Sequence, residues 1–209
     1  MIIDGLVPDP RRPGSTRVLV GGRAVWTVPA DVVAELGLEE GVALRGESVA
    51  RLDAAAEEEG AVRSALRSLE RRAHGTRELA RKLERKGHSP TAVDSALQRL
   101  GRLQLLDDLA FARGYAAAKS ARGRGPDRLR HDLAGMGVAV EIVQQVLGEL
   151  RAGTDDPLAQ PRALAAKRAA QLKGLSAEAR RRRLAAFLAR RGFHGSEVRG
   201  VMEAVLREV

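Results

Sequence analysis

The sequence predicts a mainly α-helical protein, made of three tandem three-helix repeats in an elongated array behind a small N-terminal module with a β-hairpin. The array is predicted by a pattern that occurs three times at intervals of about 50 residues: Leu, three residues, Leu, three residues, Gly, and an apolar residue six positions later. The copies are Leu79-Leu83-Gly87-Val93, Leu129-Leu133-Gly137-Val143 and Leu184-Leu188-Gly192-Val198. Further apolar residues follow 9, 10 and 13 positions after each glycine.

The spacing within each copy predicts two helices joined by a turn. Leucines four positions apart lie on one face of a helix, and a glycine one turn later takes the left-handed conformation that ends it. The apolar residues after the glycine, spaced by three and four, mark the next helix. A period of this length indicates stacked helical units that complete one another's hydrophobic cores.

The N-terminal residues predict a small mixed module. Residues 1–15, with Pro8 and Pro10, are expected to be irregular. Residues 16–60 form the module: strands at 16–20 and 24–28 flank a two-glycine turn, a short helix lies between Pro29 and Gly37, and residues 42–44 are compatible with another strand. Residues 52–60, rich in Ala and Glu, predict a solvated linker helix.

The three repeats are assigned to residues 61–106, 107–152 and 153–209. Repeat 1 begins with a helix at 61–72, and we expect Thr76 and Ser89 to cap its second and third helices. Repeat 2 begins at Asp107, another N-cap candidate. Its basic, glycine-rich loop at 121–126 precedes a helix and is either an anion site or a plain connector. Repeat 3 is expected to have helices at 161–171, 177–191 and 195–208.

The positive charge is concentrated in the repeats. Residues 1–60 hold 6 basic and 11 acidic side chains, whereas residues 61–209 hold 30 basic and 16 acidic side chains, which gives the chain its net charge of +9. A basic helical array indicates a polyanionic partner, either nucleic acid or, as the rival, a membrane surface. The chain has no cysteine, and neither a signal peptide nor a membrane span is evident, so we expect a cytoplasmic protein.

The sequence offers little catalytic chemistry. The four histidines lack metal-ligand spacing. The segment 114–120 resembles a phosphate loop, but it has Ala118 at the second glycine position and is predicted to lie within a helix, where backbone amides are already bonded. Asp107 and Asp108 fit a helix start better than a carboxylate pair. We therefore expect no enzyme activity, no catalytic residue, no metal site and no cofactor.

Arginine dominates the basic residues, with 31 Arg to 5 Lys, and its planar fork grips phosphate. Few aromatic residues are available to stack on bases, so contacts to phosphate are expected to provide the binding. The candidate binding residues are Arg71, Arg72, Arg77, Arg81, Lys82, Arg85, Lys86, Arg122, Arg124, Arg128, Arg130, Lys167, Arg168, Lys173, Arg180, Arg181, Arg182, Arg183, Arg190 and Arg191.

Residues 61–209 resemble the bacterial RecX family of regulators of RecA recombinase. The resemblance rests on three segments and is looser in the third repeat. The segments are Ala65-Leu66-x2-Leu69-x-Arg71 with Thr76-x-Glu78-Leu79-x3-Leu83-x3-Gly87, then Leu105-Leu106-Asp107-Asp108-x2-Phe111-Ala112-x2-Tyr115, then Gly125-Pro126-x2-Leu129-x3-Leu133-x3-Gly137-Val138.

The resemblance implies a negative modulator of RecA, which binds in the groove of the RecA–DNA filament and contacts both recombinase and single- or double-stranded DNA. We expect the protein to be a monomer. It would limit filament growth, ATP hydrolysis, strand exchange and repressor cleavage, and would act in DNA repair, recombination and the SOS response. The acidic N-terminal module lies outside the matching motifs.

Two other functions remain open at this stage. A basic helical-repeat protein can bind DNA generally, without a recombinase partner. Alternatively, residues 25–41 faintly resemble the swapped-hairpin transcription regulators, which are dimeric DNA binders. The acidity of the module argues against the second alternative.

Overall fold

An antiparallel sheet of three strands forms the start of the chain in the computed structural model, which describes residues 1–208. The strands are β1 (Gly5–Pro8), β2 (Ser15–Val20) and β3 (Arg23–Pro29), and they lie in the order β1-β2-β3. The predicted hairpin is confirmed: Val18 pairs with Trp26, and the two-glycine turn at residues 21–22 has φ values of 59° and 70°. Such values are those of the turn that matches the natural twist of a hairpin.

The prediction that residues 1–15 are irregular is wrong. Strand β1 pairs with β2, and Ile3 is only 1% exposed, with its amide donating to the carbonyl of Val42 at 3.0 Å. A proline at the end of an edge strand costs no ladder hydrogen bond, so Pro8 does not prevent pairing. Of the segment 42–44, only Ala43 bridges, to Ile2, and it adds no strand to the sheet.

Two helices cover the sheet. The predicted short helix is confirmed as α1 (Ala30–Glu35), which follows Pro29 and is closed by Gly37 with φ of 56°. The second helix, α2 (Gly46–Leu69), contributes Leu52 to the same hydrophobic core as Val18, Val28 and Trp26. The module is therefore completed by its own helices.

Helix α2 corrects the prediction for residues 52–72. The expected linker helix and the first helix of repeat 1 are one continuous helix of 24 residues, which ends at Leu69. The linker residues were expected to be solvated, but Leu52 and Ala55 are 0% and 3% exposed. Ala61 and Val62 then pack into repeat 1, so a single helix serves two hydrophobic cores.

Repeat 1 is completed by α3 (Thr76–Glu84) and α4 (Pro90–Arg102). The N-cap of α3 is Gly75 and not Thr76, and it provides no side-chain cap. The cap predicted for α4 is confirmed, since the Ser89 hydroxyl accepts from the amide of Ala92 at 3.3 Å. Leu79, Leu83 and Val93 form the core of this repeat.

Repeat 2 consists of α5 (Asp108–Ser120), α6 (Pro126–Met136) and α7 (Val140–Ala152). The carboxylate of Asp107 caps α5 by accepting from the amide of Ala110 at 2.9 Å, as predicted. The segment that resembles a phosphate loop lies inside α5, also as predicted. Leu129 and Leu133 of the repeated pattern are both fully buried.

Repeat 3 consists of α8 (Ala159–Ala170), α9 (Ala177–Arg191) and α10 (Ser196–Arg207), within two residues of the predicted bounds. The glycines that end the second helix of each repeat, Gly87, Gly137 and Gly192, have φ of 89°, 87° and 88°. These values confirm that the repeated glycine adopts the left-handed conformation that closes a helix.

The described residues form two compact units, one from Met1 to Leu106 and one from Asp107 onward. The first contains the N-terminal module and repeat 1, and the second contains repeats 2 and 3. None of the helices within residues 1–208 has the length and apolar character needed to cross a membrane.

Candidate nucleic-acid interface

The second helix of each repeat can be compared position by position, because the turn glycine provides a common reference. The outward positions are those 10, 6 and 2 residues before the glycine. They hold Arg77, Arg81 and Arg85 in repeat 1, Asp127, His131 and Gly135 in repeat 2, and Arg182, Ala186 and Arg190 in repeat 3. Repeats 1 and 3 therefore present arginine at equivalent places, whereas repeat 2 does not.

The α3 cationic face comprises Arg71, Arg77, Arg81, Lys82, Arg85 and Lys86. All except Lys82, which is half-buried, are exposed. Within residues 1–208, no carboxylate forms an ion pair with Arg71, Arg77, Arg85 or Lys86. Desolvation, followed by repulsion from Lys86, Arg72 and Arg71, lowers the pKa of Lys82. The face thus carries positive charge that an incoming phosphate would neutralise.

A chain of hydrogen bonds lies beside the α3 cationic face. Arg72 donates to both carboxylate oxygens of Glu78, at 2.6 and 3.2 Å, and the buried His74 contacts Glu78 through Nδ1 at 2.9 Å. The other ring nitrogen of His74, Nε2, lies 3.3 Å from the Lys82 ammonium. Arg72 is therefore engaged by a carboxylate, and Lys82 is held by a histidine.

These groups differ in their titration. Burial raises the pKa of Glu78, but hydrogen bonds from Arg72 and His74 outweigh it and bring the pKa below its ordinary value. Burial, together with the charges of Arg72 and Lys82, lowers the pKa of His74 against the opposing effect of Glu78. Sequence reasoning overlooked His74 and Glu78, although the spacing of four residues from 74 to 78 and from 78 to 82 was a usable signal.

Three of the four candidate residues of repeat 2 form ion pairs within their own unit. Arg124 and Arg128 both form ion pairs with Asp132, and Arg124 also donates to the hydroxyl of Tyr115 at 3.1 Å. Arg130 pairs with Asp127. Of the four candidates in this repeat, Arg122 alone lacks a carboxylate partner among the described residues.

The loop at residues 121–126 is an ordered connector and not an anion cradle. The amides of Gly123 and Arg124 donate to carbonyls at the end of α5, and the amide of Gly125 donates to the carbonyl of Arg191 at 2.7 Å. The amide of Asp127 donates to the carbonyl of Gly192 at 3.3 Å. The dipole at the start of α6 is thus met by the last carbonyls of α9, which leaves these amides unable to bind an anion.

Several candidates in repeat 3 stabilise the fold. Arg191 donates to the carbonyl of Arg122 at 2.9 Å and lies over the Phe187 ring at 5.2 Å. Arg168 lies over the same ring at 5.8 Å, and Arg181 pairs with Glu203 at 2.6 Å. Arg180 is half-buried, and its Nε has no hydrogen-bond partner among the described atoms.

The α9 cationic face comprises Arg182, Arg183 and Arg190, which point away from the buried Leu184 and Leu188. All three are exposed, and within residues 1–208 none has a carboxylate partner. The exposed Lys167 and Lys173 on α8 and the turn after it also lack one in the described part of the chain. The structure thus sorts the candidates into two exposed cationic faces, a group engaged in internal contacts, and three further exposed residues, Arg122, Lys167 and Lys173.

These features define a class: a tandem array of three-helix domains with exposed arginine faces on the second helices of repeats 1 and 3. Three family models match it in order, described as the first, second and third three-helix domains of RecX, at residues 61–100, 107–147 and 155–202. The chain belongs to the RecX family.

Similar proteins agree with this assignment. Regulatory protein RecX of Halorhodospira halophila is 39% identical over 153 residues, which cover 73% of this chain and 92% of that protein. Regulatory protein RecX of Chlorobium phaeobacteroides is 32% identical and covers 68% of this chain and 91% of its own length.

Solved structures share the fold. A crystal structure of a regulatory protein RecX matches with a TM-score of 0.79 and 21% identity over 97% of this chain and 98% of that one. RecX from Lactobacillus salivarius matches with a TM-score of 0.59 and 19% identity over 73% of this chain and 96% of its own.

Proposed function

We propose that this chain is a negative modulator of RecA recombinase, which binds in the groove of the RecA–DNA filament. It limits filament growth, and with it ATP hydrolysis, strand exchange and coprotease activity. The proposal is supported by the RecX family membership and by relatives that are named regulatory proteins. The observation that carries it is the pair of exposed cationic faces, at equivalent helix positions in repeats 1 and 3.

The two faces bind phosphates and do not read sequence. Their arginines grip phosphate oxygens with a planar fork, whereas the aromatic Phe187 is covered by Arg168 and Arg191 and is not available to stack on a base. Because two separate faces act together, many weak contacts add up to useful affinity on a repeating polymer. The proposal includes no catalytic step and no cofactor.

The partner is tested by the DNA-dependent ATPase of RecA. We expect sub-stoichiometric amounts of this protein to suppress hydrolysis, because blocked filament growth removes many active protomers at once. An unchanged rate at a stoichiometric excess in low salt would refute the role in RecA regulation. Tight binding to naked duplex DNA with no extra affinity for filaments would support the alternative, a general DNA-binding repeat protein.

The DNA contacts are tested by a matched pair of variants. R77A/R85A removes two arginines from the α3 cationic face, and R23A/R45A removes two exposed arginines from the N-terminal module. Both change the net charge equally. We expect R77A/R85A to bind DNA more weakly and to make the slope of log affinity against log salt shallower by about 0.9 for each lost phosphate contact. Equal effects of the two variants would indicate that net charge alone drives binding.

A further inference from the structure

One of the two lysines of the α3 cationic face, Lys82, is held by a buried histidine, an arrangement unlike that of its neighbours. Arg77, Arg85 and Lys86 extend from exposed positions without a carboxylate partner in the described residues. Lys82, in contrast, is half-buried, and its ammonium lies 3.3 Å from Nε2 of His74. The side chain of His74 is only 1% exposed, so the contact fixes Lys82 against a rigid part of the unit.

The hydrogen bonds require one tautomer of His74. A lysine ammonium has donors and no acceptor, so Nε2 of His74 must accept the Lys82 proton and carries none itself. The neutral ring then bears its proton on Nδ1, which donates to Glu78 at 2.9 Å. Glu78 is fixed in turn by the two hydrogen bonds from Arg72. Each residue in this series of hydrogen bonds thereby sets the orientation of the next.

We propose that His74 is a positioning residue, which holds the Lys82 ammonium in the orientation with which the α3 cationic face binds phosphate. Lysine side chains lose much rotational freedom when they bind, and a lysine that is already ordered loses less. One donor of the ammonium goes to His74, so the others remain to bind a phosphate. This inference rests on the proposed DNA contacts.

The burial of His74 agrees with this role. Desolvation keeps the ring neutral, and the neighbouring Arg72 and Lys82 charges act in the same direction. A charged ring would lose its acceptor and repel Lys82. Glu78 and Lys82 contact the ring and Arg72 acts on it through its charge; of these three groups, Glu78 alone opposes neutrality. The arrangement thus maintains the acceptor that Lys82 requires.

Two substitutions of His74 separate the two nitrogens. In H74N the amide nitrogen takes the place of Nδ1 and nothing replaces Nε2, so the Glu78 contact is kept and Lys82 is released. In H74Q the longer side chain brings its amide oxygen to the place of Nε2, so an acceptor for Lys82 is kept. K82M removes the ammonium, and the double variant H74N/K82M measures coupling.

The test measures binding of the full chain to duplex DNA across a range of salt. We expect K82M and H74N to weaken binding by similar factors and to make the salt slope shallower, by about 0.9 for K82M. H74Q should stay close to wild type, and H74N should cause no further loss in the K82M background. Wild-type binding by H74N or by K82M would overturn the proposal, as would additive losses in the double variant.

A second measurement uses the wild-type protein, so it does not depend on the folding of a variant. Two-bond ¹H–¹⁵N correlation spectra of the wild-type imidazoles at pH 7.5 should show His74 with its proton on Nδ1. A proton on Nε2 would overturn the inference. Failure of the proposed DNA contacts is distinguishable, because the wild-type chain would then not bind DNA at all, whereas failure of the positioning role leaves wild-type binding intact and H74N unimpaired.

Discussion

Gly192 is the glycine of the second unit at which an added side chain would meet the closest neighbouring atom. Gly192 ends α9 with φ of 88°, and a Cβ at this residue would lie 2.3 Å from the amide nitrogen of Arg128. A Cβ on Gly125 would lie 2.4 Å from the carbonyl oxygen of Gly192. The backbones meet because the carbonyls of α9 bond to the amides at the start of α6. Repeats 2 and 3 are thus joined through backbone at a position where side chains do not fit.

This constraint gives the first prediction. G192A should lose about 1–2 kcal/mol for the left-handed conformation and about 1–3 kcal/mol more for the forced backbone shift. G87A is the matched control, since Gly87 has φ of 89° but a Cβ there meets nothing within 4 Å. Denaturant unfolding measures both variants. Equal losses would show that the approach of α9 to α6 is looser than described.

An exposed ion pair gives the second prediction. Arg113 of α5 donates to both carboxylate oxygens of Glu149 of α7, at 2.7 and 2.8 Å. This hydrogen bonding, with that from Gln145, lowers the pKa of Glu149 to about 2. R113M should raise this pKa toward its ordinary value of 4.5, as followed by NMR titration of the carboxyl carbon.

The sign of the effect on stability follows from the direction of the shift. The folded pKa of Glu149 lies below the unfolded one, so the pair stabilises the fold above pH 4.5, and its contribution is lost as the pH falls toward 2. R151M is the control. It removes an exposed arginine from α7, the helix that carries Glu149, and Arg151 forms no ion pair among residues 1–208. A low pKa of Glu149 in R113M would contradict the assigned cause.

Among the structural elements, the long helix α2 has the greatest consequence. Its first half covers the sheet through Leu52 and Ala55, and its second half enters repeat 1 through Ala61 and Val62. Hydrogen bonds from the Ser89 amide to Glu57 and from Arg99 to Glu59 fix α4 and its N-cap to the same helix. The acidic module and repeat 1 therefore belong to one compact unit.

The continuity of α2 gives the third prediction, with the same substitution at two glycines of one helix. G60P should destabilise the protein by about 3 kcal/mol or more, because proline in a helix interior loses a hydrogen bond and clashes with the preceding turn. G46P should be tolerated, because Gly46 is the first helical residue and follows Arg45 in extended backbone. Thermal unfolding followed by circular dichroism compares them. Tolerance of G60P would indicate a break at residue 60.

The repeats were the elements most accessible to sequence reasoning. Leu79, Leu129 and Leu184 with their glycines determine both a helix face and its end, and the structure buries each leucine completely. Strand β1 was not predicted, because its four residues lie beside prolines and show no alternation of apolar and polar side chains. Their pairing depends on the edge of β2, which exists only after folding. The burial of the linker residues Leu52 and Ala55 was not predicted for a similar reason, because the sheet that they cover is distant in sequence.

Across the whole molecule, exposed positive charge recurs on α3 and α9, while Arg124, Arg128 and Arg130 of repeat 2 are engaged by Asp127 and Asp132. The fourth prediction compares R77A/R85A, R182A/R190A and their combination in the RecA ATPase assay. We expect each pair to weaken inhibition and the combination to weaken it by more than either pair, because linked sites bind with high effective concentration.

The control for this series is R23A/R45A, which should inhibit RecA as the wild type does. A wild-type effect of R182A/R190A would remove α9 from the proposed interface and leave the α3 cationic face as its basis. Circular dichroism should show all variants folded, since the substituted arginines are exposed and form no ion pair within residues 1–208.

The sequence by itself determined the threefold repeat, the turn glycines, the helix caps at Ser89 and Asp107 and the basic character of residues 61–209, because helix periodicity, capping and charge are local properties. Tertiary structure decided which arginines remain available. Arg124 and Arg191 resemble Arg77 and Arg190 in sequence, but their partners, Asp132 and the carbonyl of Arg122, are brought to them only by packing. The hold of His74 on Lys82 likewise requires the folded unit, since it depends on burial.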